Sequence, residues 1–135
     1  MYLIDTSIWI DYINGLETEH VAFLDQLVPY PQAVGLTDLI YLEILQGANS
    51  QKTFDQFTRY FSGQLFYTLQ YGKKSHAAAA QIYFDCRRRG ITIRSSFDCL
   101  IAQCAIENDL TLLHNDKDFS QIASVVTSLK QKCFM

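Results

Sequence analysis

Short apolar segments alternate along the chain with longer stretches in which apolar residues recur every three or four positions. The short runs predict buried strands, and the longer periodicity predicts helices with one face in a core. The predicted strands are Tyr2–Asp5, Ala33–Leu36, Leu65–Leu69, Leu110–His114 and a last one around Ser124–Thr127. The first predicted helix follows Asp5 and ends at Asn14–Gly15, and the others cover Thr18–Val28, Asp38–Gln46, 51–62, Ser75–Arg89, Ser96 to about Asn108 and Asp118–Ile122.

Capping residues support several of these boundaries. Thr37 is the predicted N-cap of the third helix, and Gly47 stands where a C′ glycine is expected. Ser75 is the predicted N-cap of the fifth helix, which Gly90 ends. Strands that alternate with helices imply right-handed crossovers and a mostly parallel sheet covered on both faces. We therefore expect a single α/β domain over residues 1–135, built as three α/β/α layers.

Composition narrows the class of protein. Of the 135 residues, 49% are hydrophobic and 19% are charged, which supports a packed core rather than disorder. No apolar run approaches the ~18 residues of a membrane helix, and the N-terminal segment lacks the basic start of a secretory signal. The cysteines show no Cys-x-x-Cys spacing, so we expect reduced thiols in a cytoplasmic protein. The net charge of −3 argues against a strongly basic, non-specific nucleic-acid binder.

Four acidic residues occupy unusual places in this pattern. Asp5 ends the first strand, Asp116 follows the fourth, and Asp98 lies in the first turn of its helix. Glu43 lies in a helix that is apolar on nearly every side, where a buried charge needs a partner. Ligands of parallel sheets bind at the carboxyl ends of the strands. We expect the three aspartates to meet there, with Glu43 entering from a flanking helix.

Each acid also has a purely structural interpretation. Asp5 would make a turn hydrogen bond, and Asp98 would complement a helix dipole. Asp116 and Asp118 would cap the helix that follows them, and Glu43 would be the one exposed position of its helix. Taken singly, Asp98, Asp116 and Asp118 fit these structural roles, whereas the roles of Asp5 and Glu43 stay undecided. Taken together, the convergence of four acids favours a functional site.

The chemistry of such a site follows from its charge. Converging carboxylates repel one another, and protonation or a cation must relieve the repulsion. Oxygen ligands without cysteine or histidine suit a hard cation, Mg²⁺ or Mn²⁺. Apart from these four acids the chain has eleven basic and ten acidic residues, so it would not repel a polyanion. The sequence therefore favours phosphoryl transfer or phosphodiester hydrolysis.

At these residues the chain resembles the PIN-domain ribonucleases and, among them, the VapC-type toxins of toxin–antitoxin pairs. The resemblance covers essentially the whole chain and rests on four segments in order: Tyr2–Ile10, Glu43, Asp98–Ala102 and His114–Phe119. Each segment alone is weak, but the four in this order in so short a chain are specific.

The resemblance implies a PIN-like fold and a set of residue roles. Asp5, Glu43, Asp98 and Asp116 match the acids of the family and would be its metal ligands and catalytic residues. Ser7 would hold a metal-bound water or a phosphate, with Thr6 the weaker candidate, and Asp118 would support the ligands from behind. The implied activity is Mg²⁺- or Mn²⁺-dependent endonucleolytic cleavage of single-stranded or looped RNA. The implied partners are a small antitoxin that covers the site and a second copy of the chain in a homodimer.

Basic residues near these motifs are candidate RNA contacts. Arg94, just before Asp98, is the favoured phosphate contact, and Lys73 and Lys74 would line the same approach. The run Arg87–Arg89 ends a helix, where cations satisfy the dipole and the free carbonyls. His114 is interpreted as a core or rim residue, and the thiols of the Asp98 helix as packing groups.

Two other functions remain open. An aspartate-nucleophile phosphatase or receiver-like domain would also place an acid at the end of the first strand. A PIN-like scaffold that binds RNA or protein without cutting is the non-enzymatic alternative. The intact set of four acids favours catalysis over the scaffold.

Overall fold

The computed structural model describes residues 1–134 and contains, within that range, one five-stranded sheet and seven helices. The strands are β1 (Tyr2–Ile4), β2 (Val34–Leu36), β3 (Leu65–Phe66), β4 (Thr111–His114) and β5 (Lys130–Cys133). The helices are α1 (Thr6–Ile13), α2 (Glu19–Leu27), α3 (Asp38–Gln46), α4 (Gln51–Ser62), α5 (Lys73–Arg88), α6 (Ser96–Glu107) and α7 (Lys117–Val125).

The sheet is parallel throughout, in the order β3-β2-β1-β4-β5. The chain moves from β1 to β3 in one direction and from β3 through β4 to β5 in the other. With right-handed crossovers, α1 to α4 then cover one face and α5 to α7 the other. The helix contacts agree, since α1 packs on α2 and α3, α3 on α4, and α5, α6 and α7 on one another. The predicted α/β class with a parallel sheet is confirmed.

The pairing and burial of the central strands fix the positions of their carboxyl ends. In β1, Leu3 pairs with Gly35 of β2 on one side and with Leu112 of β4 on the other. Leu3, Ile4 and Leu112 are fully buried, as expected for strands covered on both faces. The carboxyl ends of β1 and β4 therefore lie side by side at one edge of the sheet, which we call the carboxyl edge.

One predicted helix start is wrong, and one predicted capping residue has a different conformation. The fifth helix begins at Lys73 rather than at Ser75, after Gly72 with φ of 56°. Ser75 is buried inside the first turn, where its hydroxyl accepts a hydrogen bond from the Tyr71 backbone at 3.0 Å. Gly47 is the C-cap of α3 with φ of −78°, so it does not use the left-handed conformation of a C′ glycine. Thr37 caps α3 as predicted, accepting from the Ile40 backbone.

The last predicted strand is also misplaced. Residues 124 and 125 belong to α7, which extends beyond the predicted Asp118–Ile122, and the strand is Lys130–Cys133 instead. The reason is that β5 is an edge strand with exposed Lys130 and Lys132, so it lacks the apolar run of a buried strand. Charged residues are typical of edge strands because they oppose pairing with other chains.

A buried aromatic contact joins α1 to α4. Trp9 and Phe61 are fully buried and meet edge to face with ring centroids 5.2 Å apart. Trp9 follows the first acid by one helical turn, so the core contact also fixes the start of α1. None of the helices in residues 1–134 has the length and apolar content needed to cross a membrane.

Gly35 offers a test of the tight packing between β2 and β3. A Cβ atom at this position would lie 2.5 Å from Cε2 of Tyr67 and 2.9 Å from the carbonyl oxygen of Leu65. The carbonyl belongs to the paired strand and cannot move cheaply, so Gly35→Ala is expected to lower the free energy of unfolding by about 1–3 kcal/mol. The measurement is urea denaturation, with Gly63→Ala as the matched control. Gly63 has φ of −85° and its nearest contact is 3.6 Å, so equal destabilisation of both variants would contradict the packing account.

Candidate active site

The carboxyl edge carries an aspartate after each of its two central strands. Asp5 follows β1 directly and is the N-cap residue of α1, without a side-chain cap hydrogen bond to that helix. Asp116 follows β4 by two residues and does cap α7, because its Oδ1 accepts from the Asp118 backbone at 2.9 Å. The structural role considered for Asp116 is therefore real, and it occupies one of the two carboxylate oxygens.

All four predicted acids line one cavity of about 550 Å³. Asp98 contributes from the first turn of α6 and Glu43 from the middle of α3. The complete lining is Asp5, Thr6, Ser7, Glu43, Arg94, Asp98, Asn115, Asp116 and Lys117. Segments that are distant in sequence thus meet at the carboxyl edge, where the parallel sheet leads us to expect a ligand.

Hydroxyl groups after the first strand hold two of the acids. The Thr6 hydroxyl donates to Oε1 of Glu43 at 2.9 Å, across 37 residues of sequence. The Ser7 hydroxyl lies 3.4 Å from Oδ2 of Asp5, a longer and weaker hydrogen bond. Thr6, the weaker candidate from the sequence, therefore makes the firmer contact, while Ser7 is exposed and free to turn towards a bound group.

The electrostatics of the cavity are those of crowded carboxylates. Burial, with added repulsion from Glu43 and Asp116, raises the pKa of Asp5 to about 7, although hydrogen bonds from Thr6 and Ser7 oppose the shift. Burial also raises the pKa of Asp98 to about 7, and the charges of Asp116 and Asp5 add to it. Both acids are thus poised to exchange a proton for a cation near neutral pH.

The donor set fits a hard divalent cation. One oxygen from each of Asp98, Asp116 and Asp118 lies within 4.8 Å of the others, and Asp5 and Glu43 line the same cavity outside this tight group. Among residues 1–134, Oδ1 of Asn115 is one of two buried side-chain polar atoms without a hydrogen-bond partner. An all-oxygen set with strong mutual repulsion is the chemistry expected for Mg²⁺ or Mn²⁺.

Arg94 is the predicted basic residue that reaches the cavity. Its Nη2 donates to Oδ1 of Asp116 and its Nε to Oδ2 of Asp118, both at 2.9 Å. Lys73 and Lys74 begin α5 as exposed residues and are not part of the cavity lining. Lys117 does line it, and sequence reasoning missed this residue although it directly follows Asp116.

Asn115, the other residue that sequence reasoning missed, connects the cavity to a hydrogen-bonded pair of side chains, His20 and Asp11. The Asn115 amide nitrogen lies 3.0 Å from Nδ1 of His20, and Nε2 of His20 lies 2.7 Å from Oδ2 of Asp11. The signal in the sequence was its place between His114 and Asp116, inside the motif that carries the last acid. Asn115 thus fixes the loop after β4 against α1 and α2.

His114 is a core residue, as interpreted from the sequence. Its side chain is fully buried, Nε2 lies 2.7 Å from Oε1 of Gln131, and Nδ1 accepts from the Asp116 backbone at 3.1 Å. Burial lowers the pKa of His114, which keeps the ring neutral and leaves Nδ1 as an acceptor. The ring therefore positions Asp116 through its main chain.

The thiols of α6 are packing groups. Burial raises the pKa of Cys99 to about 12 and that of Cys104 to about 11. A nucleophilic cysteine needs the opposite shift, towards the thiolate. Cysteine chemistry at this site is therefore not supported, in agreement with the sequence interpretation.

The raised pKa values predict the pH dependence of the metal-free protein. Since the folded state binds more protons than the unfolded state between pH 4 and 7, the free energy of unfolding falls as pH rises through that window. Asp5→Asn removes one buried charge, so it is expected to raise stability at pH 8 by on the order of 2 kcal/mol and to flatten the dependence. Urea denaturation in chelator between pH 4.5 and 8 measures both effects. Asp25→Asn, at an exposed position of α2, is the control, and a wild-type pH profile in Asp5→Asn would contradict the burial of an uncompensated charge.

Comparisons with known proteins identify the family of the chain. Residues 2–125 match the family model of the PIN domain. The chain is 34% identical over 135 residues to VapC ribonuclease Mb1587 of Mycobacterium bovis and to ribonuclease VapC11 of Mycobacterium tuberculosis, with 99% of this chain and of each relative covered.

Solved structures show the same fold. The crystal structure of VapBC2 from Rickettsia felis, bound to a promoter DNA fragment, is similar with a TM-score of 0.75 at 19% identity, covering 99% of this chain and 98% of that one. FitAcB from Neisseria gonorrhoeae is similar with a TM-score of 0.70 at 21% identity, covering 97% and 96%. By its family model and its full-length relatives, the chain belongs to the PIN-domain family and, within it, to the VapC ribonucleases.

Proposed function

We propose that this protein is a divalent-metal-dependent endoribonuclease and the toxin of a type II toxin–antitoxin pair. The observation that carries the proposal is the meeting of Asp5, Glu43, Asp98 and Asp116 around one cavity. Family membership supplies the reaction class, and the oxygen-only lining supplies the chemistry for a hard cation. The preferred ion is Mg²⁺ or Mn²⁺.

The proposed mechanism assigns a task to each side chain of the cavity. Asp5, Asp98 and Asp116 would hold the cation, and Glu43 would complete the set from α3. The chemistry that a cation held there would supply is activation of a water and neutralisation of charge on the phosphate that is cleaved. The Thr6 hydroxyl keeps Glu43 oriented through its 2.9 Å hydrogen bond. Ser7, exposed at the cavity, is placed to hold a water or a phosphate oxygen.

RNA is the proposed substrate, in single-stranded or looped form. Arg94 and Lys117 bring positive charge to a cavity that is otherwise acidic, which suits phosphate groups approaching the cation. Lys73 and Lys74 are proposed as further contacts to the RNA strand, outside the cavity. Recognition through a few phosphates is consistent with a chain whose net charge is −3 rather than strongly positive.

The proposed partners are an antitoxin and a second copy of the chain. Two solved structures that share the fold of this chain are a toxin–antitoxin complex from Klebsiella pneumoniae and VapBC-5 from Mycobacterium tuberculosis, a member of the VapBC family of toxin–antitoxin systems. We infer that a small antitoxin covers the cavity here, and that the chain forms a homodimer in the cytoplasm. A cytoplasmic location suits the buried thiols Cys86, Cys99 and Cys104, which need no oxidising compartment.

Substitution of Asp98 tests the nuclease proposal. Asp98→Asn keeps the size of the side chain but removes a proposed ligand, so cleavage of total RNA with Mg²⁺ or Mn²⁺ is expected to fall at least about 100-fold. Sequencing of the new RNA ends measures cleavage, and thermal denaturation confirms the fold. Asp25→Asn, which removes the same charge at an exposed position, is expected to cut like the wild type.

Two results would contradict the proposal. One is cleavage by Asp98→Asn at the wild-type rate, which would show that this cavity is not the active site. The other is cleavage that continues at full rate in excess chelator, which would show that the reaction needs no divalent cation.

A further inference from the structure

Arg94 joins Asp116, an acid of the cavity, to the buried Asp118 through two different nitrogens of one guanidinium. Nη2 lies 2.9 Å from Oδ1 of Asp116 and Nε lies 2.9 Å from Oδ2 of Asp118. The side chain of Arg94 is 66% exposed, whereas those of Asp116 and Asp118 are 28% and 2% exposed. Arg94 therefore reaches the two acids from the exposed rim of the cavity, and its side chain has space to move away from them.

The two ends of this bridge differ in how firmly they are held. Asp118 is buried, and its Oδ2 accepts from both the backbone nitrogen and Nε of Arg94, at 3.3 Å and 2.9 Å. Asp118 therefore fixes the main chain of Arg94 as well as its side chain. Asp116 is partly exposed, and of the nitrogens of Arg94 only the terminal Nη2 bonds to it. The Asp118 contact is the anchor, and the Asp116 contact is the one that can exchange.

Asp116 is also the acid that faces the rest of the cluster. Its charge contributes to the raised pKa of Asp5 and of Asp98. Its Oδ1 already accepts from the Asp118 backbone and from Arg94, which uses the two lone pairs of that oxygen. A divalent cation bound by Asp98 and Asp116 would either displace the guanidinium from Oδ1 or take the second oxygen, close enough to repel it.

We propose that Arg94 is the internal counter-ion of the acidic cavity: it occupies Asp116 in the metal-free protein, releases it to the incoming cation, and then turns its freed nitrogens to an RNA phosphate. Asp118 is in this view the anchor of Arg94 rather than a ligand of the ion. The inference rests on the proposed metal-dependent nuclease function for its ion and its substrate. It adds that metal binding and the Arg94–Asp116 ion pair compete.

Metal binding without RNA tests the competition directly. Titration of chelator-treated protein with Mn²⁺, followed by calorimetry and by the electron paramagnetic resonance of free Mn²⁺, is compared for wild type, Arg94→Gln, Arg94→Lys and Arg88→Gln. Loss of a partly exposed ion pair predicts about three- to fivefold tighter Mn²⁺ binding by Arg94→Gln. Arg88→Gln removes the same charge from a 3.9 Å exposed pair with Asp85 and is expected to bind Mn²⁺ like the wild type.

The lysine variant separates a specific contact from general charge. Lysine keeps the positive charge but lacks the fork that reaches two carboxylates at once. If the two guanidinium contacts of Arg94 compete with the metal, Arg94→Lys is also expected to bind Mn²⁺ more tightly than the wild type. If Arg94→Lys binds like the wild type, or if Arg94→Gln binds no tighter, the proposal is wrong. Because Arg94→Lys retains a cation beside buried Asp118, it also keeps the test valid if Arg94→Gln folds poorly.

A phosphate probe tests the second half of the proposal. A fluorescent single-stranded DNA oligonucleotide carries the phosphates, and its affinity is measured by anisotropy with Mn²⁺ and with chelator. Mn²⁺ is expected to strengthen probe binding by the wild type more than by Arg94→Gln, since only the wild type frees a guanidinium. An equal gain in both proteins would overturn this step.

The outcomes distinguish this inference from the proposed function on which it rests. A wild-type protein that binds no Mn²⁺ in this titration would contradict the nuclease proposal itself. A wild-type protein that binds Mn²⁺, loses that binding in Asp98→Asn and is indifferent to substitution of Arg94 would contradict only the counter-ion role.

Discussion

Repulsion between carboxylates that the fold does not allow to separate is the constraint on which this site depends. Asp5 and Asp116 follow adjacent parallel strands, and the strands are fixed by fully buried residues such as Leu3, Ile4 and Leu113. Because a packed core resists displacement, the acids cannot move apart to relieve their charge. Protons or a cation must do so. Burial raises the pKa values of Asp5 and Asp98 most, and the charges of the neighbouring carboxylates raise them further.

Hydrogen bonds in and around the cavity hold this arrangement in place. The His114 ring accepts from the Asp116 backbone, and Asn115 is tied to His20, which is itself paired with Asp11. On the other side, Thr6 holds Glu43. These contacts connect the loops after β1 and β4 to α1, α2 and α3. Such surrounding hydrogen bonds orient metal ligands and tune their affinity, so we regard them as part of the site.

The fold could be predicted from the sequence wherever burial left a pattern. The central strands and the helices with apolar faces were placed correctly, since each buries residues at a regular spacing. The edge strand β5 was missed because Lys130 and Lys132 are exposed and bury nothing. Ser75 was mistaken for a cap because a buried serine and a capping serine look alike in sequence. The distinction depends on Gly72, whose positive φ starts α5 earlier.

The candidate site could be located from the sequence, but its internal contacts could not. Acids at strand ends and one glutamate in an apolar helix predicted where the chain would converge, and the resemblance to the PIN-domain family is confirmed by the family model. Nothing in the spacing of Arg94 and Asp118, 24 residues apart, indicated that they bind each other. That contact depends on how α7 packs on α6, which is a tertiary property. The roles of the individual site residues remain predictions.

The distribution of charge within the cavity argues for separate roles of acids that lie close together. The oxygens of Asp98, Asp116 and Asp118 meet within 4.8 Å, and on distance alone the three are equivalent. Their partners differ, however, because Arg94 bonds to Asp116 and Asp118, while the pKa of Asp98 is raised by burial and by the charges of Asp116 and Asp5. A cation binds most favourably where no basic side chain neutralises the carboxylates, which is on the side of Asp5 and Asp98. Asp118 is buried and accepts two hydrogen bonds from Arg94, so its charge is already neutralised and its carboxylate holds the guanidinium. Asp116 lies between Arg94 and the acids that have no basic partner.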